Sequence, residues 1–234
     1  MMEDTLHTVL QQHRHNFADV LSFSLQEVQL CYLDLSDQNK DLSISDIADN
    51  SVFAQYIRQY IRQHQADVAI GQYKEDRSIY KKSSHFTPQG QEARSIHLGV
   101  DLWLSAGTSI HAPLQGTVHS FQNNNNYGDY GPTIILEHQL ESITFYTLYG
   151  HLSLSSLSNI SQGQQISQGE SFCELGAPQE NGQWPPHLHF QLIRDMMHKQ
   201  GDFPGVAKPS EQEKYLHLCP DPALILGIPT HLKA

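Results

Sequence analysis

Apolar and polar positions alternate in two different rhythms along this chain, and the change falls near residue 66. Before it, Leu6, Val9, Leu10, Phe17, Val20 and Leu21 recur at a loose helical spacing behind Asp4, a residue type suited to capping a helix start. A first helix is expected there. A short apolar run, Val-Gln-Leu-Cys-Tyr-Leu-Asp-Leu over 28–35, then gives way to a polar stretch over 36–50 with Asn50 or Ser51 as the next candidate cap. Val52, Phe53, Tyr56, Ile57, Tyr60, Ile61 and His64 follow at steps of three and four, the strongest helical signal in the sequence.

Beyond residue 66 glycine and proline become frequent and apolar runs shorten to strand length. The pattern predicts strands over 117–121, 133–138, 143–149 and 188–192. Gly116, Gly128, Gly131, Gly163, Gly169 and Gly176 are expected at turns or bulges. Four consecutive asparagines in the run 122–126 are expected to form an exposed loop, since Asn favours turns through its own side-chain hydrogen bonds. The fold class is therefore α+β, predominantly antiparallel β. An N-terminal helical and mixed extension (1–85) precedes a β-rich region (86–200), and a proline-rich, irregular segment (201–234) is expected to wrap the surface.

Composition narrows the function. The 234 residues carry 14 Lys+Arg against 25 Asp+Glu, a formal charge of −11 that opposes binding to nucleic acid or an anionic membrane. Mean hydropathy is −0.45 and no apolar run approaches the roughly 20 residues of a membrane helix. The N-terminus is acidic and polar where a secretory signal is basic and then apolar, so a cytoplasmic location is expected. Three widely spaced cysteines, Cys31, Cys173 and Cys219, form no CxxC pair and read as buried thiols. Histidine is the unusual count, at 15.

Several of these histidines fall in three short motifs. His97 and Asp101 are four apart in Ser-Ile-His-Leu-Gly-Val-Asp; in a straight strand their Cα atoms stand about 13 Å apart, too far to share one ion. Gly99 between them predicts a bend that brings the two side chains together. His187 and His189 lie in Pro-Pro-His-Leu-His-Phe, on the same face of a strand with Cα atoms about 6.5–7 Å apart. His151 ends the strand Ile-Thr-Phe-Tyr-Thr-Leu-Tyr-Gly-His.

In this order and combination the motifs resemble the lysostaphin-like (LytM-type) zinc metalloendopeptidases, which carry HxxxD, a later His and a closing HxH. Ala112-Pro113-Leu114-Gln115-Gly116-Thr117-Val118, Tyr149-Gly150-His151-Leu152-Ser153, and Gly163 with Ile166 and Gly169 are similar to further family segments, so the likeness covers about 90–195. It implies a duplicated-hybrid-motif β-sheet fold and one Zn2+ per chain held by His97, Asp101 and His189. His151 and His187 would be the unliganded catalytic pair acting on a peptide or amide substrate through a zinc-activated water. Trp184, Tyr149 and His111 are candidates for the substrate groove, while Trp103 reads as core. Two positions depart from the family pattern: a bulky Trp184-Pro185-Pro186 run enters HxH, and Gln191 stands where Glu is usual.

The stretch Gly71-Gln72-Tyr73-Lys74-Glu75-Asp76-Arg77, with Tyr80 and Arg94 to Gly99, is similar to a zinc-peptidase-like segment of multidomain bacterial proteins. Those proteins also carry a kinase-like phosphotransferase and a class-III aminotransferase, which implies a functional association with such enzymes. Two other classes compete: a catalytically silent binding domain of the same fold, and a histidine phosphocarrier. Retention of all five motif residues opposes the first, and Asp101, which would repel a phosphoryl group, opposes the second. His119, His138, His7, His13, His15, His64 and His85 read as solvated or structurally satisfied.

Overall fold

The computed structural model describes residues 5–42, 49–77 and 92–229. Asp4, Tyr80 and His85 lie outside these residues. Helix α1 (Thr5–His13) is followed by strand β1 (Leu30–Leu33), helix α2 (Asn50–Gln63) and strand β2 (Val68–Gly71). The β-rich part runs β3 (Ile96–His97), β4 (Val100–Trp103), β5 (Ser109–His111), β6 (Gly116–Asn124), β7 (Gly131–Leu140) and β8 (Ile143–Gly150). Helix α3 (Leu154–Ser158), β9 (Gln165–Ile166), β10 (Ser171–Glu174), β11 (His187–Ile193) and β12 (Val206–Ala207) come next. A 3-10 turn (Pro209–Glu211) leads into α4 (Gln212–Leu218), and α5 (Ala223–Leu226) closes the series.

Eight strands form one sheet in the order β1-β2-β4-β11-β8-β7-β6-β9. Every neighbouring pair is antiparallel except β1 and β2, which run parallel because α2 crosses between them. The two N-terminal strands thus extend the same sheet that carries the HxxxD and HxH motifs, with Gly71 opposite Asp101.

Period-two alternation decides which side chains face the site. On β4, Val100 and Leu102 enter the main core with Leu188, Phe190 and Leu192 of β11, so Asp101, Trp103, His187, His189 and Gln191 emerge on the opposite face. That face is covered by α2, whose Phe53 and Ile57 pack on Leu33, Ala69 and Trp103, and by the C-terminal segment, whose Phe203 and Ala207 join Ile96 and Leu98. Each buried Leu, Ile or Phe among these contributes about 1.5–3 kcal/mol by removal from water.

Several expectations need correction. Helix α1 stops at His13, and Phe17, Val20 and Leu21 belong to irregular, bent chain, where the Val20 carbonyl accepts from His111 N at 2.9 Å. The cap of α2 is Asp49, whose carboxylate accepts from Ser51 N and Val52 N, rather than Asn50 or Ser51. The asparagine run is not all loop: β6 continues through Asn124, whose buried amide donates to Gly201 O and Thr133 Oγ1. Nor are the described residues of the C-terminal segment, 201–229, all irregular, for β12 pairs with β3 and two helices follow. Its prolines start elements instead of preventing them: Pro209 opens the 3-10 turn and Pro222 precedes α5. All three cysteines are buried and free. Among the described residues no helix is long and apolar enough to cross a membrane.

Candidate metal centre

Ile96 and His97 pair with β12, the chain turns at Leu98 and Gly99, and β4 then sets Asp101 opposite His189 of β11. The expected bend is present, and His97 Nε2 comes within 3.3 Å of Asp101 Oδ1. Gly99 has no substitute at this point, since an added Cβ would lie 2.6 Å from His189 Cε1 and 2.8 Å from Phe190 O. His189 Nδ1 completes a triangle, 3.0 Å from Asp101 Oδ1 and 3.1 Å from His97 Nε2.

The protons on these rings are fixed by their outer partners. His97 Nδ1 lies 2.8 Å from Gln72 O, a carbonyl that only accepts, so Nδ1 carries the hydrogen and Nε2 presents a lone pair inward. The Gln191 amide donates through Nε2 to Pro204 O and to Cys219 Sγ, leaving Oε1 to accept from His189 Nε2 at 2.9 Å. His189 Nδ1 is then also a bare acceptor. Three acceptors, one of them anionic, face one another at 3.0–3.3 Å, which is unfavourable unless a cation lies between them. Donors at zinc distances of 2.0–2.1 Å in a tetrahedral arrangement are about 3.3 Å apart. The residues present therefore fit zinc, and among the described residues this is the one cluster of His, Cys, Asp and Glu whose donors converge in this way.

Charge supports the same arrangement. Burial alone would raise the Asp101 carboxyl, but His97 and Arg77 beside it hold it well below the usual carboxylate range. Burial, reinforced by Arg77, lowers His97 to about 4, so that ring is neutral near pH 7 and free to donate its lone pair. Arg77 is then the permanent positive charge on Asp101.

Residues 95–201 match the model for Peptidase family M23. This segment belongs to that family. A zinc-containing peptidase from Vibrio cholerae is similar at 25% identity over 45% of this chain and 29% of its own, with a TM-score of 0.35. A putative M23 peptidase from Pseudomonas aeruginosa is 22% identical over 56% and 44%, at 0.37. The catalytic domain of the antimicrobial peptidase lysostaphin from Staphylococcus simulans is 22% identical over 51% and 80%, at 0.36. The chain thus spans less than half of the first two proteins. No curated protein matches it.

Two more histidines of the M23 segment border the triangle. His151 follows β8 at a positive φ of 62°, and its Nδ1 donates to Asn181 O at 2.9 Å. His187 Nδ1 donates to Pro185 O at 2.8 Å, and its Nε2 faces Asp101 Oδ1 at 4.0 Å. Their rings lie 4.1 Å apart, each with Nε2 left as an acceptor. Burial lowers His187 to about 4, and burial with the neighbouring His187 holds His151 well below the ordinary imidazole value. Both rings line a cavity of about 230 Å3 together with Asp101, His189, Trp103 and Trp184.

Of the three groove candidates, Trp184 lines this cavity. Tyr149 does not: alternation turns it to the other face, where it is fully buried between Phe172 and Phe190 and hydrogen bonded to Thr147. His111 does not either, because β5 pairs with β10 outside the main sheet and its Nδ1 donates to Gly169 O. Trp103 is core and cavity wall at once, stacked 4.1 Å from His187. Tyr130 and Phe203 also line the cavity, and Tyr130 Oη lies 3.4 Å from His189 Nε2. Neither carried a sequence signal: Tyr130 is a lone aromatic in a loop between HxxxD and His151, and Phe203 is one in the loop that follows HxH.

Proposed function

We propose that the chain is a zinc-dependent metallopeptidase that hydrolyses an amide bond in a small peptide or a peptidoglycan-like peptide. The observation that carries this reading is the triangle of His97 Nε2, Asp101 Oδ1 and His189 Nδ1 beside two neutral histidines. Three protein donors of mixed nitrogen and oxygen type leave one tetrahedral position open, the arrangement of a catalytic site. A zinc ion bound there would supply a Lewis acid and lower the pKa of its water toward neutrality.

The remaining work falls to this chain's own side chains. His151 and His187 each offer an unprotonated Nε2 at the cavity wall, so either accepts a proton from the attacking water and returns it to the leaving amine. Once protonated, the same nitrogen donates to the oxygen that gains charge as the carbonyl is attacked. Their Nδ1 bonds to Asn181 O and Pro185 O hold both rings in the tautomer this requires. Trp103 and Trp184 line the same cavity and offer apolar surface beside the two rings.

Elemental analysis of the purified protein, beside Asp101→Ala, His189→Ala, His151→Ala and His187→Ala, tests the assignment. Wild type is expected to hold about one zinc per chain, and the first two variants to lose it, since two remaining donors rarely retain the ion. The last two are expected to keep zinc while peptide turnover falls at least 100-fold, in the range of general acid–base catalysis. Zinc retained at full level in both ligand variants would overturn the donor set, and turnover unchanged in both others would overturn the catalytic pair.

A further inference from the structure

One side chain from outside the M23 segment reaches the donor triangle. Arg77 is 1% exposed, its Nη1 donates to Asp101 Oδ2 at 2.5 Å, and its Nε donates to Glu75 Oε2 at 2.8 Å. Glu75 in turn accepts from Leu35 N through Oε1 at 2.8 Å. The segment is tied to the HxxxD strand by main-chain bonds: Lys74 N donates to His97 O, His97 N to Glu75 O, and Arg77 N to Ser95 O, each at 2.9 Å. Room for the guanidinium comes from Gly71, where a Cβ would lie 2.6 Å from Nη2.

The two oxygens of Asp101 consequently have separate partners. Oδ1 faces His97 and His189, whereas Oδ2 is taken by Arg77. Resting on the metal reading above, we propose that Arg77 is a positioning residue of the centre: by holding Oδ2 it restricts Asp101 to one donor oxygen and keeps the fourth position open. The guanidinium suits this task because its planar fork binds Asp101 and Glu75 from two different nitrogens, which a lysine ammonium on a flexible stem does not reproduce. Outer partners of this kind set metal affinity by orienting the ligand itself.

Two physical roles for Arg77 make opposite demands. A mere counter-charge competes with the metal for Asp101, so removing it would tighten zinc binding. A positioning group weakens binding when removed, by about 10- to 100-fold.

The test measures zinc dissociation constants by chelator competition for wild type, Arg77→Gln and Arg77→Lys in the full chain, with the visible spectrum of each cobalt(II) form. Arg77→Gln is expected to bind zinc 10- to 100-fold more weakly and to show a weaker cobalt band, as a freed carboxylate adds its second oxygen. Arg77→Lys is expected to fall between the two. Zinc binding by Arg77→Gln that is equal or tighter, with an unchanged spectrum, would overturn the proposal. If that variant fails to fold, Arg77→Lys decides, wild-type affinity and spectrum overturning it. Wild type that binds neither metal would instead overturn the metal reading beneath it.

Discussion

His138 shows what a buried imidazole does when it has partners but no ligand to hold. It is 1% exposed, its Nδ1 donates to Gln115 O at 2.9 Å, and its Nε2 lies 2.7 Å from Thr147 Oγ1. Burial lowers its pKa to about 4, below the ordinary 6.5 it regains on unfolding. The unfolded chain therefore binds more protons between these values, and stability present above pH 6.5 is lost as the pH falls toward 4. By pH 4.5 the loss assigned to this residue is about 2–3 kcal/mol. Urea midpoints at pH 7 and 4.5 are expected to move farther apart in wild type than in His138→Gln, and equal separations would refute this. Nothing around His138 repeats a ligand spacing, which left it solvated or structurally satisfied, and its burial decides for the second. His97, His187 and His189 were legible for the opposite reason. Arg77 was not, because the contact that gives it meaning spans 24 residues and depends on β2 lying beside β4.

The bend between β3 and β4 carries the centre's tolerances. A methyl group at position 99 must displace the His189 ring or break the approach to Phe190 O, both of which fix the donor triangle. Gly99→Ala is expected to weaken zinc binding at least tenfold, at a stability cost of about 1–3 kcal/mol; calorimetric titration with zinc measures the first and thermal unfolding of the metal-free protein the second. Elements of this kind were readable because short apolar runs and a glycine between two ligands carry local information. The side facing the cavity was readable for β11, where two histidines alternate with Leu188 and Phe190. It was not readable for Tyr149, since the parity of β8 is set by its pairing with β11, which puts Tyr149 opposite Phe190 and Gly150 opposite His189.

Over the whole molecule, the M23 segment supplies six of the eight strands of the main sheet, and β1 and β2 extend it beside β4. Strand β4 has β2 on one side and β11 on the other, all four of its residues are buried, and the HxxxD turn is covered by β12, with Leu98 N donating to Gly205 O. A fragment limited to 95–201 uncovers an apolar strand edge and loses both Arg77 and the β12 strap. It is expected to aggregate on expression, whereas the full chain unfolds cooperatively; a fragment that unfolds cooperatively and binds zinc as the full chain does would refute this. The extent of that dependence was hidden in the sequence, because the partners of β2 and β12 are distant and their own segments are short.

The tether from Gln191 to Cys219 has a consequence for timing during synthesis. Donors at 97, 101 and 189 leave the ribosome before the group that fixes the last of them, since the amide that orients His189 is held by Pro204 O and Cys219 Sγ. A nascent chain therefore displays the three donors before it can hold them in register. On the proposed metal reading, chains that stop before residue 219 are expected to hold the ion less firmly than the full chain, so its retention would report how far translation went.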